Sequence, residues 1–388
     1  MVKPEYYSRL EVVDELFSLW GQCQFEVVVA QYSPVGKVDR HASALPAADG
    51  PVAEADVRAV TASRWRAAAS DSATLVLLVD LVLIALFSAL SPGHVFWSVA
   101  NAEALLRNST EVLVLSLGVT LLMCAGVFDL SVGANLVLCS VLAATTIQAL
   151  TAAGAPPLSA IGAGLLVAVI GGALFGVVNG LIITRFKVNS LIATLGTLGI
   201  GTGTAQLLTN GQDIHQLPEQ LQSGFALLKF GILPAPMLCA LLLLAGVWLL
   251  LRFTRFGMRS LAIGSNETAA VRSGINVPGH LVALTALAGA FAGFAGFVDI
   301  SRFGATAIGS HSLDGLNAVT AVVIGGTALT GGRANVPGTL WGAALSIILL
   351  SGLIIIRVQP FWQLVATGIV LIAAVAFDQV RAQRIERR

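Results

Sequence analysis

Long apolar runs separated by short polar stretches make up the chain from residue 73 onward. Each full-length run has about the 20 residues that an α-helix needs to cross the hydrocarbon core of a bilayer. We therefore predict an all-α fold, a polytopic bundle of about ten transmembrane helices. The predicted spans are 73–90, 111–126, 130–150, 158–184, 190–208, 236–251, 279–300, 319–329, 336–356 and 361–377. The run 319–329 is short for a crossing and is expected to be a broken or re-entrant element.

The composition supports a membrane protein and argues against an enzyme. Of 388 residues, 56% are hydrophobic and 11% are charged, whereas about a quarter of the residues in a soluble domain are charged. The five histidines form no hydrolase motif, and the four cysteines form neither a CxxC pair nor a cluster with histidine. We predict no catalytic residues, no metal site and no disulfide framework.

Charge placement divides the chain and orients it. Residues 1–72 are more polar and are expected to form a largely flexible cytoplasmic tail, without a signal peptide. Residues 73–380 form the transmembrane domain, with a cytoplasmic loop at 256–278, and residues 381–388 form a basic cytoplasmic tail. This arrangement places fourteen Lys and Arg residues inside and four outside, so both termini should be cytoplasmic.

The loop at 256–278 is polar although it lies between two apolar runs. Ser265 or Asn266 can cap the N-terminus of a short helix, with Glu267 in its first turn. Gly274 suits the position after its C-terminus. The sequence predicts about two turns of helix at the inner membrane surface.

The same segment resembles the cytoplasmic loop of ABC-transporter permeases of the ribose/monosaccharide family, within the branched-chain amino acid permease-like superfamily. Their pattern there is close to GxxxxAIGxNxxAAxxSGI. The resemblance implies that this helix docks on a partner ATPase. The implied coupling residues are Gly257, Arg259, Gly264, Asn266, Glu267, Ala270, Arg272 and Gly274. The family often has arginine at the position of Val271; here Arg272 comes one residue later, which rotates the charge by about 100° around a helix.

Three further segments resemble the same family. They are the DLSVG element at 129–133, the IATLGT segment at 192–197 with the TNGQ that follows at 209–212, and the AVVIGGT segment at 321–327 with the glycines after it. The glycine string lacks the Lys-Ser/Thr ending of a nucleotide loop, so we expect a helix break there. The implied path or gating residues are Asp129, Ser131, Thr194, Thr197, Asn210, Asn317 and Thr327.

Individual residues in these segments keep alternative interpretations. Asp129 can cap a helix or contact the substrate, and the Gly and Thr residues can line a path or pack helices. The family commonly has acids where Gly315 and Asn317 stand here, and only Asp314 is nearby.

The spacing of Gly172, Gly176 and Gly180 predicts a close helix contact. Asp80 lies in the first span, where it can face the bundle, pair with an arginine or be protonated.

The resemblance implies the permease subunit of an ABC importer for a monosaccharide, a ribose-like pentose or a hexose, in the bacterial cytoplasmic (inner) membrane. The implied partners are ABC ATPase subunits, an extracellular or periplasmic sugar-binding protein and a second permease subunit, in contact with lipid and without nucleic acid. No cofactor is expected in this chain, because ATP and magnesium belong to the ATPase.

Two other functions stay open at this point. One is an ABC permease for another solute, such as a branched-chain amino acid, a nucleoside or a signalling furanose. The other is an ion-coupled secondary transporter, which would need paired carboxylates or unwound ion-binding helices within the membrane.

Overall fold

The computed structural model describes residues 72–359 except 312, and also residues 361, 362, 365, 368, 369 and 372. The predicted N-terminal tail apart from Ser72, most of the predicted span 361–377 and the basic tail 381–388 therefore lie outside the described residues.

Twelve α-helices account for most of the described chain. They are α1 (Ser72–Leu90), α2 (Val99–Cys124), α3 (Val132–Ala152), α4 (Pro157–Arg185), α5 (Ser190–Thr209), α6 (Glu219–Leu221), α7 (Ala235–Phe253), α8 (Arg255–Ser265), α9 (Glu267–Arg272), α10 (Val277–Phe303), α11 (Asp314–Ile324) and α12 (Val336–Ile355). A two-stranded antiparallel hairpin, β1 (Lys229–Phe230) and β2 (Leu233–Pro234), precedes α7.

Eight of the described helices are long and apolar enough to cross a membrane: α1, α2, α3, α4, α5, α7, α10 and α12. The prediction of a polytopic helical bundle is confirmed. Helix α11 has 11 residues and is about 16 Å long, roughly half the hydrocarbon thickness. It therefore fits the expected broken element.

Helix α10 lies at the centre of the bundle and packs on α2, α3 and α4. Small residues make the contact with α4 close. A Cβ atom at Gly172 would lie 2.2 Å from the carbonyl oxygen of Gly289, and one at Gly176 would lie 2.1 Å from that of Thr285. Helix backbones can approach this closely only where side chains are small.

Two interruptions of the helical structure lie beside one another. The first separates α2 from α3, and the second separates α11 from α12. They are joined where the N–H of Gly332 donates to the carbonyl of Cys124 at 2.9 Å. Gly331 and Gly332 have φ angles of 85° and 76°, a region that favours glycine.

Asp80 is buried in α1, with 2% of its surface exposed. Neither of its carboxylate oxygens has a hydrogen-bond partner among the residues that the structure describes.

Candidate coupling and translocation site

Helix α9 has the cap that its sequence indicates. The side-chain oxygen of Asn266 accepts from the N–H of Ala269 at 2.9 Å, which satisfies one of the free donors at the helix N-terminus. Gly274 follows the C-cap with φ of 81°. These two residues set both ends of a six-residue helix.

Nearly the whole surface of α9 is exposed. Ala270 is its buried residue, whereas Glu267, Val271 and Arg272 reach solvent. Because positions 271 and 272 are both exposed, the displaced arginine still lies on the outer surface of the helix. Arg259 on α8 is exposed as well, so α8 and α9 together present a polar, partly basic surface.

Two glycines on α8 hold this surface against the bundle. A Cβ atom at Gly257 would lie 2.3 Å from the carbonyl oxygen of Leu250. At Gly264 it would lie 2.1 Å from the carbonyl oxygen of Cys124 and 2.5 Å from the nitrogen of Gly332. Gly264 is therefore in direct backbone contact with both helix interruptions.

A second contact joins α8 to α10. The hydroxyl of Ser260 lies 2.8 Å from Nε2 of His280, and the ring of Phe256 packs on the same imidazole with centroids 4.4 Å apart. Sequence reasoning missed this contact. The available signal was a serine and an aromatic residue one turn apart on an amphipathic helix, facing a histidine early in the next span.

The first interruption is held by a buried polar network. Asp129 accepts from the N–H of Ser131 at 2.7 Å, and the hydroxyl of Ser131 accepts from the amide of Asn179 at 2.8 Å. Thr194 accepts from the N–H of Leu130 at 3.3 Å. These side chains brace the segment between α2 and α3 and link it to α4 and α5.

The other predicted path residues lie apart from this network. Thr327 is buried and accepts from the N–H of Asn335 at 3.1 Å. Thr197 is buried and donates to the carbonyl of Thr194 within α5. Asn210 ends α5 in a left-handed conformation, with φ of 53°. The structure does not gather the predicted path residues around a single space.

A cavity of about 320 Å³ lies between α3, α5 and the segment before α11. This volume is at the lower end of the range for small-molecule pockets. Its walls are formed by Leu130, Gly133, Ala134, Val137, Leu198, Gly199, Thr202, Gly203, Gln206, Ile308 and His311. Asn317 lines a separate cavity of about 50 Å³.

Charged side chains meet near this cavity. Nδ1 of His311 lies 2.6 Å from Asp314 and 3.2 Å from Glu111, and its Nε2 lies 3.3 Å from Asp299. Arg302 lies 3.4 Å from Glu111. The sequence predicted no such site, because these residues are up to 203 positions apart, from 111 to 314.

The sequence comparisons agree with the architecture. A family model described as "Branched-chain amino acid transport system / permease component" matches residues 101–375. No solved structure matches the chain.

Curated relatives align over most of both chains. The ribose import permease protein RbsC of Bacillus subtilis is 38% identical over 307 residues, covering 78% of this chain and 91% of the relative. RbsC of Escherichia coli K12 is 31% identical over 78% of this chain and 92% of its own. The galactose/methyl galactoside import permease protein MglC of E. coli K12 is 32% identical, with 80% and 94% covered. The chain is a multi-pass membrane protein, and it belongs to this transport-system permease-component family of ABC importers.

Proposed function

We propose that this chain is the membrane-spanning subunit of an ABC importer that takes up a monosaccharide across a bacterial inner membrane. Support for a sugar comes from the relatives, which are named as ribose and galactose import permeases. They are bacterial proteins, which supports the same location here. A ribose-like pentose or a hexose is the proposed cargo, delivered by a soluble sugar-binding protein to a pair of permease subunits.

The exposed surface of α8 and α9 is the proposed docking site for the partner ATPase. It offers the basic groups of Arg259 and Arg272, the carboxylate of Glu267 and the apolar side chain of Val271, all on the outside of the bundle. ATP and magnesium are bound and used in that partner, so this chain needs no phosphate-binding loop.

Movement of α9 has two routes into the bundle. One runs through Gly264 to the carbonyl of Cys124 and the nitrogen of Gly332, at the two helix interruptions. The other runs through Ser260 and His280 into α10. Helix α10 contacts α4 along the glycine ridge, which is formed by Gly172, Gly176 and Gly180 of α4. Closely packed elements transmit small displacements because they cannot be compressed.

The cavity beside α5 is a proposed part of the path. It has mostly apolar walls, with the hydroxyl of Thr202, the amide of Gln206 and His311 as polar groups. A few exchangeable hydrogen bonds suit a sugar that must bind and then leave.

The observation that carries the coupling proposal is the contact of Gly264 with two backbone groups from different interruptions. In a strain lacking only this chain, wild-type protein should restore uptake of radiolabelled ribose or galactose. Gly264→Ala should not, because its Cβ atom has no room against backbone atoms. The matched control is Gly246→Ala on α7, where a Cβ atom meets nothing within 4 Å.

Immunoblots of washed membranes show whether each variant is inserted at the wild-type level. Uptake by Gly264→Ala at the wild-type rate would contradict the coupling route. Restored uptake of leucine without either sugar would contradict the proposed substrate class and leave the coupling route standing.

A further inference from the structure

The cluster of Glu111, Asp299 and His311 joins three separate parts of the fold. Glu111 is on α2, Asp299 is near the end of α10, and His311 lies in the segment before α11. Each offers one atom suited to bind a metal, these atoms lie within 4.8 Å of one another, and all three residues are buried.

The carboxylate of Asp299 gives the strongest indication that the cluster binds a ligand. None of its surface is exposed, and neither of its oxygens accepts a hydrogen bond from the residues that the structure describes. Its Oδ2 atom lies 3.3 Å from Nε2 of His311, but that nitrogen also lacks a hydrogen bond within the described chain. A buried carboxylate without donors is costly unless a cation neutralises it.

The orientation of His311 matches that of a metal-binding histidine. Its Nδ1 atom lies 2.6 Å from a carboxylate oxygen of Asp314, so an N–H at Nδ1 leaves the lone pair of Nε2 facing Asp299. Metal-bound histidines usually donate their other N–H to a carboxylate or carbonyl in this way.

Distance and charge agree with this arrangement. Two ligand atoms each about 2.0–2.1 Å from a tetrahedral zinc ion are about 3.3–3.4 Å apart, which matches the separation of Nε2 and Oδ2. With a neutral imidazole, the carboxylates of Glu111, Asp299 and Asp314 and the guanidinium of Arg302 sum to −2. A divalent cation would balance that charge.

The geometry points to a binding site for one divalent transition-metal ion, formed by Nε2 of His311 and the carboxylate of Asp299. Glu111 is the third ligand of the cluster; its oxygen lies 3.2 Å from Nδ1 of the same imidazole, so its side chain must turn toward Nε2 to reach the ion. Mixed nitrogen and oxygen ligands suit Zn²⁺, whereas Mg²⁺ and Ca²⁺ prefer oxygen alone. By binding residues of all three elements, the ion holds the segment before α11 against α2 and α10. His311 also lines the larger cavity, so the site adjoins the proposed path, but its test measures metal binding alone and depends neither on the substrate nor on the ATPase.

Zn²⁺ titration of the full-length chain tests the site. The protein is purified through a tag without histidine, stripped with EDTA and placed in lipid nanodiscs. Isothermal titration should give one Zn²⁺ per chain, and excess Mg²⁺ should not displace it. Asp299→Asn should weaken binding at least about 10-fold, and so should Asp314→Asn, which removes the carboxylate that orients His311.

The matched control is His215→Gln, which removes an exposed histidine outside the cluster and should leave the affinity unchanged. Co²⁺ in the wild-type chain should give the visible absorption of a four-coordinate ion, a measurement that needs no variant to fold. No stoichiometric Zn²⁺ in the wild type, equal affinity in Asp299→Asn, or no such Co²⁺ band would each overturn the proposal. The cluster would then be an ion network held by a protonated imidazole.

Discussion

Helices α4 and α5 follow one another in the chain, and both are rich in glycine, yet their glycines have different surroundings. Along α4, a Cβ atom at Gly176 or Gly180 would lie 2.1 or 2.3 Å from atoms of Thr285 on α10. Along α5, a Cβ atom at Gly196, Gly199 or Gly203 would meet nothing within 4 Å.

The comparison separates two uses of one residue type. On α4, glycine removes the side chain that would hold two helix backbones apart. On α5, it leaves one face of the helix open, and part of that face lines the larger cavity. Glycine frequency alone does not distinguish a packing surface from an open one, so the helices have to be tested by substitution.

The largest expected effect is the loss of stability in Gly176→Ala. The new methyl group meets the carbonyl of Thr285 and the Cα of Ala286, and backbone atoms cannot rotate away, so α4 and α10 must separate. We expect about 2–3 kcal/mol of destabilisation, measured by reversible denaturation in mixed micelles.

Gly162→Ala is the matched control for this change, since Gly162 lies on the same helix and a Cβ atom there meets nothing within 4 Å. Helix propensity favours alanine over glycine at both positions, so an equal loss of stability in both variants would show that the contact with α10 does not determine the result.

A smaller loss is expected in Asn135→Ala. The side-chain amide of Asn135 donates to the carbonyls of Gly172 at 3.2 Å and Gly289 at 3.4 Å, so it bridges the two helices of the ridge. Removing it leaves buried carbonyls with fewer donors, at a cost of about 1–2 kcal/mol, in the same denaturation assay.

Thr204→Ala on α5 gives the comparison, because within the part of the chain that the structure describes the hydroxyl of Thr204 bonds only the carbonyl of Ile200 in its own helix. Its effect should stay within about 0.5 kcal/mol. If the two substitutions cost the same, the amide of Asn135 does not stabilise the ridge.

The sequence was sufficient to predict the membrane-spanning helices that the structure describes and the residues that cap α9. Apolar runs of span length are visible in any window, and Asn266 with Gly274 marks α9 through rules that act within a few residues. Contacts between distant segments were not predictable. Nothing near Gly264 in the sequence indicates that it touches Cys124, and Asp299 stands alone in an apolar run.

The predicted path residues show the same limit of prediction from the sequence. Asp129 and Thr194 occur in motifs that resemble those of other permeases, yet in the structure they bond the chain between α2 and α3. Whether a polar side chain faces a cavity or braces a backbone depends on helix rotation, which a motif does not specify.

For Gly203→Leu on α5, we expect a functional change without a loss of stability. Gly203 lines the larger cavity, and its Cβ position is open, so a leucine narrows the cavity without displacing backbone. Sugar uptake should fall, while the free energy of unfolding should not decrease, because leucine has a higher helix propensity than glycine. Gly196→Leu, outside the cavity walls, should keep wild-type uptake; equal inhibition by both would contradict a path along this cavity.

The smallest expected effect is a gain of stability in Gly196→Ala. Gly196 is exposed on α5, and its Cβ position is free of neighbours, so alanine should stabilise the helix by about 0.5–1 kcal/mol. Denaturation of the variant in dilute mixed micelles measures this gain. A loss of stability that appears only at high protein concentration would mean that another copy of the chain fills the open face of α5. In that case α5 would resemble α4 after all, with its contact made between subunits rather than within one.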